Sequence, residues 1–409
     1  MPGSLVGERC PFAHAEAVME SQSVLLDLFI LFAAAKIAGE LFEAIRQPPV
    51  VGELLAGVIV GPHVLGLLGG GETEVLEVIA ELGVIILLFT VGLETSLDDL
   101  RRVGRPALLV GMLGVALPFA AGIGLMIMLG YEGADSLFVA AAIVATSVGV
   151  TARVLRDLGA VNTTAARVVL GAAVVDDILA IMLLAVVSGL AVGDLSTVEL
   201  VVLVVEVVVF LTIVLFLGPK AIRRLSSIVR IPGIPDSPFL VAVLLTLGLA
   251  AASEVIGLAA IIGAFLAGLI FEFRKEEVAT QIEPVYEFLV PFFFAITGSQ
   301  LDPFVFGDVE ILGLAAMVTA IAIVTKVLGG YAGSVGLERR TRLTVGVGMV
   351  PRGEVGLIVA SLGLGLGLDA ELFGVVVAMT VVTTIVTPPV LSPLVRRERA
   401  DARTERDEA

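Results

Sequence analysis

The stretch VVLGAAVVDDILAIMLLAVV, residues 168–187, has the length and composition of a membrane-spanning helix, yet it carries two adjacent carboxylates, Asp176 and Asp177, near its middle. Placing an acid at bilayer depth costs several kcal/mol, so ionisable groups in spanning segments mark ion or proton pathways by default. The pair is therefore the first candidate functional site, and its surroundings decide the fold.

The rest of the chain is of the same kind. It is 58% hydrophobic and 16% charged, its mean hydropathy is +1.07, and apolar runs recur from about residue 24 to residue 395. A helix of about 20 apolar residues crosses a bilayer. A membrane β-barrel would show alternating segments of about ten residues instead of continuous apolar runs. The expected fold is an all-α polytopic membrane protein with about thirteen transmembrane helices, centred near residues 34, 57, 85, 117, 147, 179, 207, 244, 262, 290, 320, 354 and 382. The first twenty residues lack the basic start, apolar core and small-residue cleavage site of a signal peptide, so the first span is expected to be retained. The single cysteine, Cys10, excludes an intramolecular disulfide. A net charge of -16 argues against a nucleic-acid partner; much of the acid lies in loops and in the tail ERADARTERDEA, residues 398–409.

Cytoplasmic loops carry the Lys/Arg excess, and here the pattern is strict. All but four of the 25 basic residues follow spans one, three, five, seven, nine, eleven and thirteen. The opposite loops hold Glu72, Glu74, Glu132, Asp135, Asp194, Asp308, Asp369 and Glu371 and no Lys or Arg. The N-terminus is thus expected outside and the C-terminus in the cytoplasm, in the cell (inner or plasma) membrane of a prokaryote. The four exceptions are Arg9 in the external tail and Lys36, Lys326 and Arg352 within spans.

The chain also repeats itself. VVGELLAGVIVG (50–61) resembles IIGAFLAGLIFE (261–272), LLFTVGLETSLD (87–98) resembles FFFAITGSQLD (292–302), and SVGVT (147–151) resembles EVGLI (354–358). Aligning Gly52 with Gly263, Gly92 with Gly298 and Gly149 with Gly356 gives nearly constant offsets, which carry span two to nine, three to ten and five to twelve. A shift of seven spans is odd, so the two halves are expected to face opposite ways. Inverted-topology repeats are the architecture of many secondary transporters, with the site at the midplane where the repeats meet.

Spans five and twelve each contain a helix breaker. AAIVATSVGVTARVL offers Thr146, Ser147 and Gly149; VGVGMVPRGEVGLIVA places Pro351 and Gly353 around Arg352. Proline removes a backbone donor and clashes with the preceding turn, and irregular backbone at membrane depth is tolerated only where it is buried or lines a cavity. Two broken helices crossing at the midplane would leave opposed half-helix dipoles, which Arg352 and Glu354 are placed to compensate.

Taken together, QPPVVGELLAGVIVGP (47–62), LLFTVGLETSLDDL (87–100), ATSVGVTARVL (145–155), VVDDI (174–178), TKVLGG (325–330) and VGMVPRGEVGLIVA (347–360) resemble the monovalent cation:proton antiporters, of the NapA-type sodium/proton branch, over essentially the whole chain. The resemblance implies a thirteen-helix homodimer that moves its core like an elevator. It further implies a cation and proton site at Asp177 and Asp176 near Thr146 and Ser147, with Lys326 beside Asp176. The corresponding layout is an external tail over residues 1–22, a dimerisation domain over 23–100 and 233–303, a core transport domain over 101–192 and 304–396, a linker helix over 193–232 and a cytoplasmic tail over 397–409. The expected function is exchange of sodium or lithium for protons, electrogenic, without enzymatic activity or an organic cofactor, the lipid bilayer and a second copy being its partners. A potassium/proton antiporter is the neighbouring alternative.

The chemistry stands without that resemblance. Adjacent helical residues point about 100° apart, so Asp176 and Asp177 do not address one ligand; one faces the cation and the other a partner. Hard monovalent cations take oxygen ligands, and a carboxylate that holds either a proton or sodium at one alternately exposed site performs antiport. Lys326 is the natural counter-charge for Asp176. A buried lysine can lose its proton where an arginine stays charged, and Lys occupies only four basic positions in this chain. If Asp177 and the Asp176/Lys326 pair both change protonation in each cycle, two protons exchange for one sodium ion, although coupled groups titrate as a pair and do not reveal which of them carries the second. Blander readings stand beside these: a static Lys326 ion pair, hydroxyls of Thr146 and Ser147 bonded to backbone, a purely structural Arg352 and Glu354, a Lys36–Glu40 pair on a helix surface, Glu94 and Asp98 marking the end of an interface, and solvated external His14 and His63. Other classes fit less well. A passive channel lacks the need for a repeat with central acids, a sodium-coupled symporter shares only the repeat, and an intramembrane aspartyl protease would need a GxGD element that is absent.

Overall fold

The computed structural model describes residues 11–45, 47–68, 73–95, 104–131, 133–192, 197–228, 237–271, 274–300, 303, 309–352, 356, 359 and 370–408. All regular structure among them is helical. The order is α1 (Pro11–Ala44), α2 (Pro49–Val60), α3 (Thr73–Glu94), α4 (Gly104–Met128), α5 (Ala134–Val144), α6 (Val148–Asp157), α7 (Thr164–Val192), α8 (Thr197–Ile228), α9 (Ser237–Val255), α10 (Ala260–Phe271), α11 (Lys275–Ser299), α12 (Val309–Gly333), α13 (Arg339–Gly348) and α14 (Ala370–Glu408). Six stretches among the described residues are long and apolar enough to cross a membrane. The predicted span centres fall inside these helices except for two: residue 147 lies in the gap between α5 and α6, and residue 354 lies outside the described residues.

The helices sort into two packed groups. α1, α2, α3, α9, α10 and α11 contact one another, while α4, α5, α6, α7, α12, α13 and α14 form a second set, with α8 touching both α7 and α10. Lipid tails are as apolar as leucine, so helices in a membrane are held by close packing across small residues more than by hydrophobic burial. The first group follows that rule at the positions matched by the sequence repeat. A Cβ on Gly57 would overlap the Ala295 carbonyl, and one on Gly298 would overlap the Leu54 carbonyl, so α2 and α11 touch backbone to backbone. Gly92 meets Phe265 and Gly268 meets Phe89 in the same way, joining α3 to α10. Gly52 sits on Ala38 of the preceding helix, and its repeat partner Gly263 sits on Leu249 of the helix preceding its own. Residues related by the repeat thus occupy related contacts, which is what two copies of one unit packed about a pseudo-twofold axis require.

The second group has its own close approaches, Gly333 against Val110 and Gly330 against Gly346. Where the two groups face each other at α6, side chains make the contact. Gly149 of α6, for example, meets the Phe293 ring and the Val84 side chain at 3.3 and 3.4 Å.

Candidate functional site

The helix that begins at Ala134 stops at Val144 because Ala145 and Ser147 take extended backbone angles, with ψ of 132° and 109°. α13 stops at Gly348, three residues before Pro351. The two interruptions meet: the Ser147 N–H donates to the Pro351 carbonyl at 2.8 Å, and the Thr151 hydroxyl donates to the Gly348 carbonyl at 2.7 Å. Backbone groups freed by a break have no water to turn to at this depth, so each must find a partner within the protein.

Arg352 partners three carbonyls around the crossing. It is fully buried, and its Nη1 donates to the carbonyls of Met349 and Val350 at 3.2 and 2.9 Å. Its Nη2 reaches the Ala322 carbonyl of α12 at 3.3 Å, and its own carbonyl accepts a hydrogen bond from the Thr384 hydroxyl of α14. A guanidinium at the C-terminal end of α13 also faces the negative end of that helix dipole. The companion residue Glu354 lies outside the described residues.

Asp176 and Asp177 both sit on α7 but face different ways. Asp176 and Lys326 are each wholly inaccessible, and Lys326 Nζ donates to Asp176 Oδ1 at 2.6 Å. Lys326 lies one helical turn after Ala322, so the cation of Arg352 is anchored one turn along α12 from the cation of the pair. The lid over the pair is Gly114 of α4, where a Cβ would stand 3.3 Å from Asp176 Oδ1 and 3.4 Å from Lys326 Nζ. Nothing in the sequence separates Gly114 from the other glycines among the 45 in the chain; its signal is purely spatial.

Asp177 faces the seam between the helix groups. It lines a cavity of about 20 Å³ together with Val148, Leu170, Ala173 and Val174 on its own side and Leu88, Ile261, Ile262 and Phe265 on the other. That is on the order of one water molecule's space. The two predicted hydroxyls occupy the break beside it. Both are buried, the Thr146 hydroxyl lies 3.5 Å from the Val144 carbonyl, and Ser147 immediately precedes Val148 of the cavity wall. The structure therefore brings the acids, the lysine, the arginine and the hydroxyls to one region, with the two carboxylates in different surroundings: one sealed against a cation, one at the seam.

Sequence reasoning missed a second polar region. Lys36 and Glu40, expected as a pair on a helix surface, line a cavity of about 220 Å³ with Glu43, Glu53, Arg153, Arg156, Asp157 and Glu283, among others. Glu94, expected at an interface end, faces Arg156 at 3.6 Å across the seam. Asp98 lies outside the described residues, His63 is exposed, and the side chain of His14 is outside those described.

Crossed, interrupted helices around buried charges define a class of helical membrane proteins. Within it, the family of transmembrane sodium/hydrogen exchangers matches residues 28–397, and the chain belongs to that family. It is 35% identical over 410 residues to the high-affinity Na(+)/H(+) antiporter NhaS3 of Synechocystis, covering 90% of this chain and 89% of that one. It is 35% identical over 369 residues to the Na(+)/H(+)-K(+) antiporter GerN of Bacillus cereus, covering 88% and 94%. The fold is similar to that of the sodium proton antiporter MjNhaP1 from Methanocaldococcus jannaschii, with a TM-score of 0.65 over 91% of this chain and 98% of that one at 17% identity.

Proposed function

We propose that the protein exchanges sodium, or lithium, for protons across the cell membrane, with Asp177 as the shared ligand and the Asp176/Lys326 pair as a second, coupled protonation site. The observation that carries this reading is the divergence of the two carboxylates: Asp177 at the seam cavity, Asp176 sealed with Lys326 inside one helix group. A group that must meet ions from either side belongs at a surface that changes its exposure, and a group that answers only through proton uptake belongs behind it. Membership of the exchanger family and the similarity to the Na(+)/H(+) antiporter NhaS3 and the Na(+)/H(+)-K(+) antiporter GerN support sodium/proton exchange. GerN is a Na(+)/H(+)-K(+) antiporter, which keeps potassium/proton exchange as the second reading. Arg352 and Glu354 serve the broken helices, and Thr146 and Ser147 supply oxygens beside the cation.

The movement is that of an elevator. The group of α1, α2, α3, α9, α10 and α11 is the scaffold and dimerisation domain, fixed by glycine-mediated backbone contacts, and the group carrying α7 is the mobile core that slides against it on side chains. The protein works as a homodimer, with its N-terminus outside, its C-terminus in the cytoplasm, and two protons moved for each sodium ion. Proteoliposomes test the exchange: if proton and sodium compete for Asp177, the half-saturating sodium concentration rises as the pH is lowered. A half-saturating concentration that is independent of pH would contradict a shared ligand. Exchange unaffected when the membrane potential is clamped and then released would contradict the two-for-one ratio.

A further inference from the structure

The end of α6 remote from the helix crossing is held in a way that the transport site does not explain. Arg153 Nη1 donates to the Tyr286 hydroxyl of α11 at 2.8 Å, and its Nη2 reaches Glu53 Oε1 of α2 at 3.3 Å. Asp157, one turn along α6, holds its Nε at 2.9 Å. Arg156 pairs with Glu283 of α11 and faces Glu94 of α3 at 3.6 Å. Both guanidinium groups lie against one ring, with Arg156 3.7 Å and Arg153 5.1 Å from the centroid of Tyr286. One short helix of the core thus grips three helices of the scaffold.

The seam changes character along its length. Around Asp177 the facing residues are Leu88, Ile261, Ile262 and Phe265, all apolar and without directional contacts to hold one register. Around Arg153 the contacts are charged, directional and specific to one register. Beside them lies the polar cavity of about 220 Å³, large enough on the scale of about 30 Å³ per water for several molecules. Charges released there on opening would be rehydrated, not stranded. A contact that is specific when closed and solvated when open distinguishes one position of the core from another, which a purely cohesive interface does not need.

We propose that Arg153 and Arg156, clasping Tyr286 between Glu53, Glu94 and Glu283, form a latch that holds the core in one of its two end states and sets how readily it leaves. This rests on the moving-core reading above. The latch does not bind the transported ion; it fixes the fraction of molecules that present Asp177 to each side.

The test uses the full chain reconstituted in oriented proteoliposomes, comparing wild type, Tyr286→Leu and Asp177→Asn. A guanidinium–ring contact is worth a shift of roughly two- to thirtyfold in a two-state balance. Tyr286→Leu is therefore expected to move the half-saturating sodium concentrations measured from the two sides in opposite directions, by a factor in that range, and to raise amide hydrogen exchange over residues 148–157. A merely cohesive role lowers the maximum rate and leaves both half-saturating values where they were; that result, or a parallel shift of the two, overturns the latch. Should Tyr286→Leu not fold, Glu283→Gln, at the more exposed rim of the network, carries the same prediction with a smaller shift. Failure of the site reading is recognised separately, as sodium-driven flux that survives Asp177→Asn, while the exchange of residues 148–157 still reports on the latch.

Discussion

Replacing Lys326 by methionine isolates the sealed pair. At 2.6 Å and an effective dielectric constant of about 20, the attraction between the two charges is about 6 kcal/mol. Burying each ion costs several kcal/mol, so the pair as a whole comes out near zero. Its halves are another matter. Asp176 has no exposure at all, and its second oxygen, Oδ2, has no hydrogen-bond partner, so without Lys326 the carboxylate would lose its one paired cation and keep only the field of Arg352, which it senses without a hydrogen bond. Breaking such a pair from one side costs about 3–5 kcal/mol, whereas replacing both members by apolar groups is neutral or stabilising. Chemical denaturation in mixed micelles should accordingly show Lys326→Met destabilised by about 3–5 kcal/mol. The double variant Lys326→Met with Asp176→Leu should recover to within about 1 kcal/mol of wild type, and any exchange it retains should ignore membrane potential, because the second protonation site is gone. A single variant within about 0.5 kcal/mol of wild type, inside the range of an ordinary surface change, would refute the burial argument. A double variant as unstable as the single would refute the coupling.

Two further outcomes follow from the same geometry. Arg352→Ala should be destabilising by about 3–5 kcal/mol, as for breaking a buried charge network, because the carbonyls of Met349, Val350 and Ala322 lose their shared donor; Arg352→Lys should not restore it in the same assay, since one ammonium does not reproduce a planar fork that serves two strands of chain. Gly114→Ala forces the pair to give by a few tenths of an ångström, so it should reduce sodium-driven proton flux several-fold while the denaturation midpoint moves little; an unchanged flux would show that α4 does not set the geometry of the pair.

Much of this was legible in the chain itself, for physical reasons that differ from residue to residue. Continuous apolar runs place helices because the bilayer admits little else, and the span centres follow from that. The divergence of Asp176 and Asp177 follows from helical geometry, the choice of Lys at residue 326 in an arginine-rich chain pointed to a titrating group, and the family resemblance placed it beside Asp176. Pro351 marked one break and the Thr146–Ser147 pair the other. The repeat, readable as glycine-bearing motifs, reappears as matched backbone contacts at Gly57, Gly298, Gly92 and Gly268. What stayed hidden depends on distance along the chain. Arg153 meets Tyr286 across 133 residues and Glu53 across 100, and no local pattern encodes such meetings. Lys36 and Glu40 looked like a surface pair because their spacing allows it; the polar cavity they share with α2, α6 and α11 exists only once those helices are assembled. Gly114 is one small residue in a helix full of them, and its meaning comes from the two charges packed beneath it.

The central claim is that one carboxylate, Asp177, holds sodium and proton in turn. Sodium-driven proton flux in proteoliposomes, compared between wild type and Asp177→Asn at equal amounts of folded protein, tests it most directly. The account predicts that the asparagine variant folds and inserts normally but loses the flux entirely. Flux at the wild-type level in that variant would contradict it.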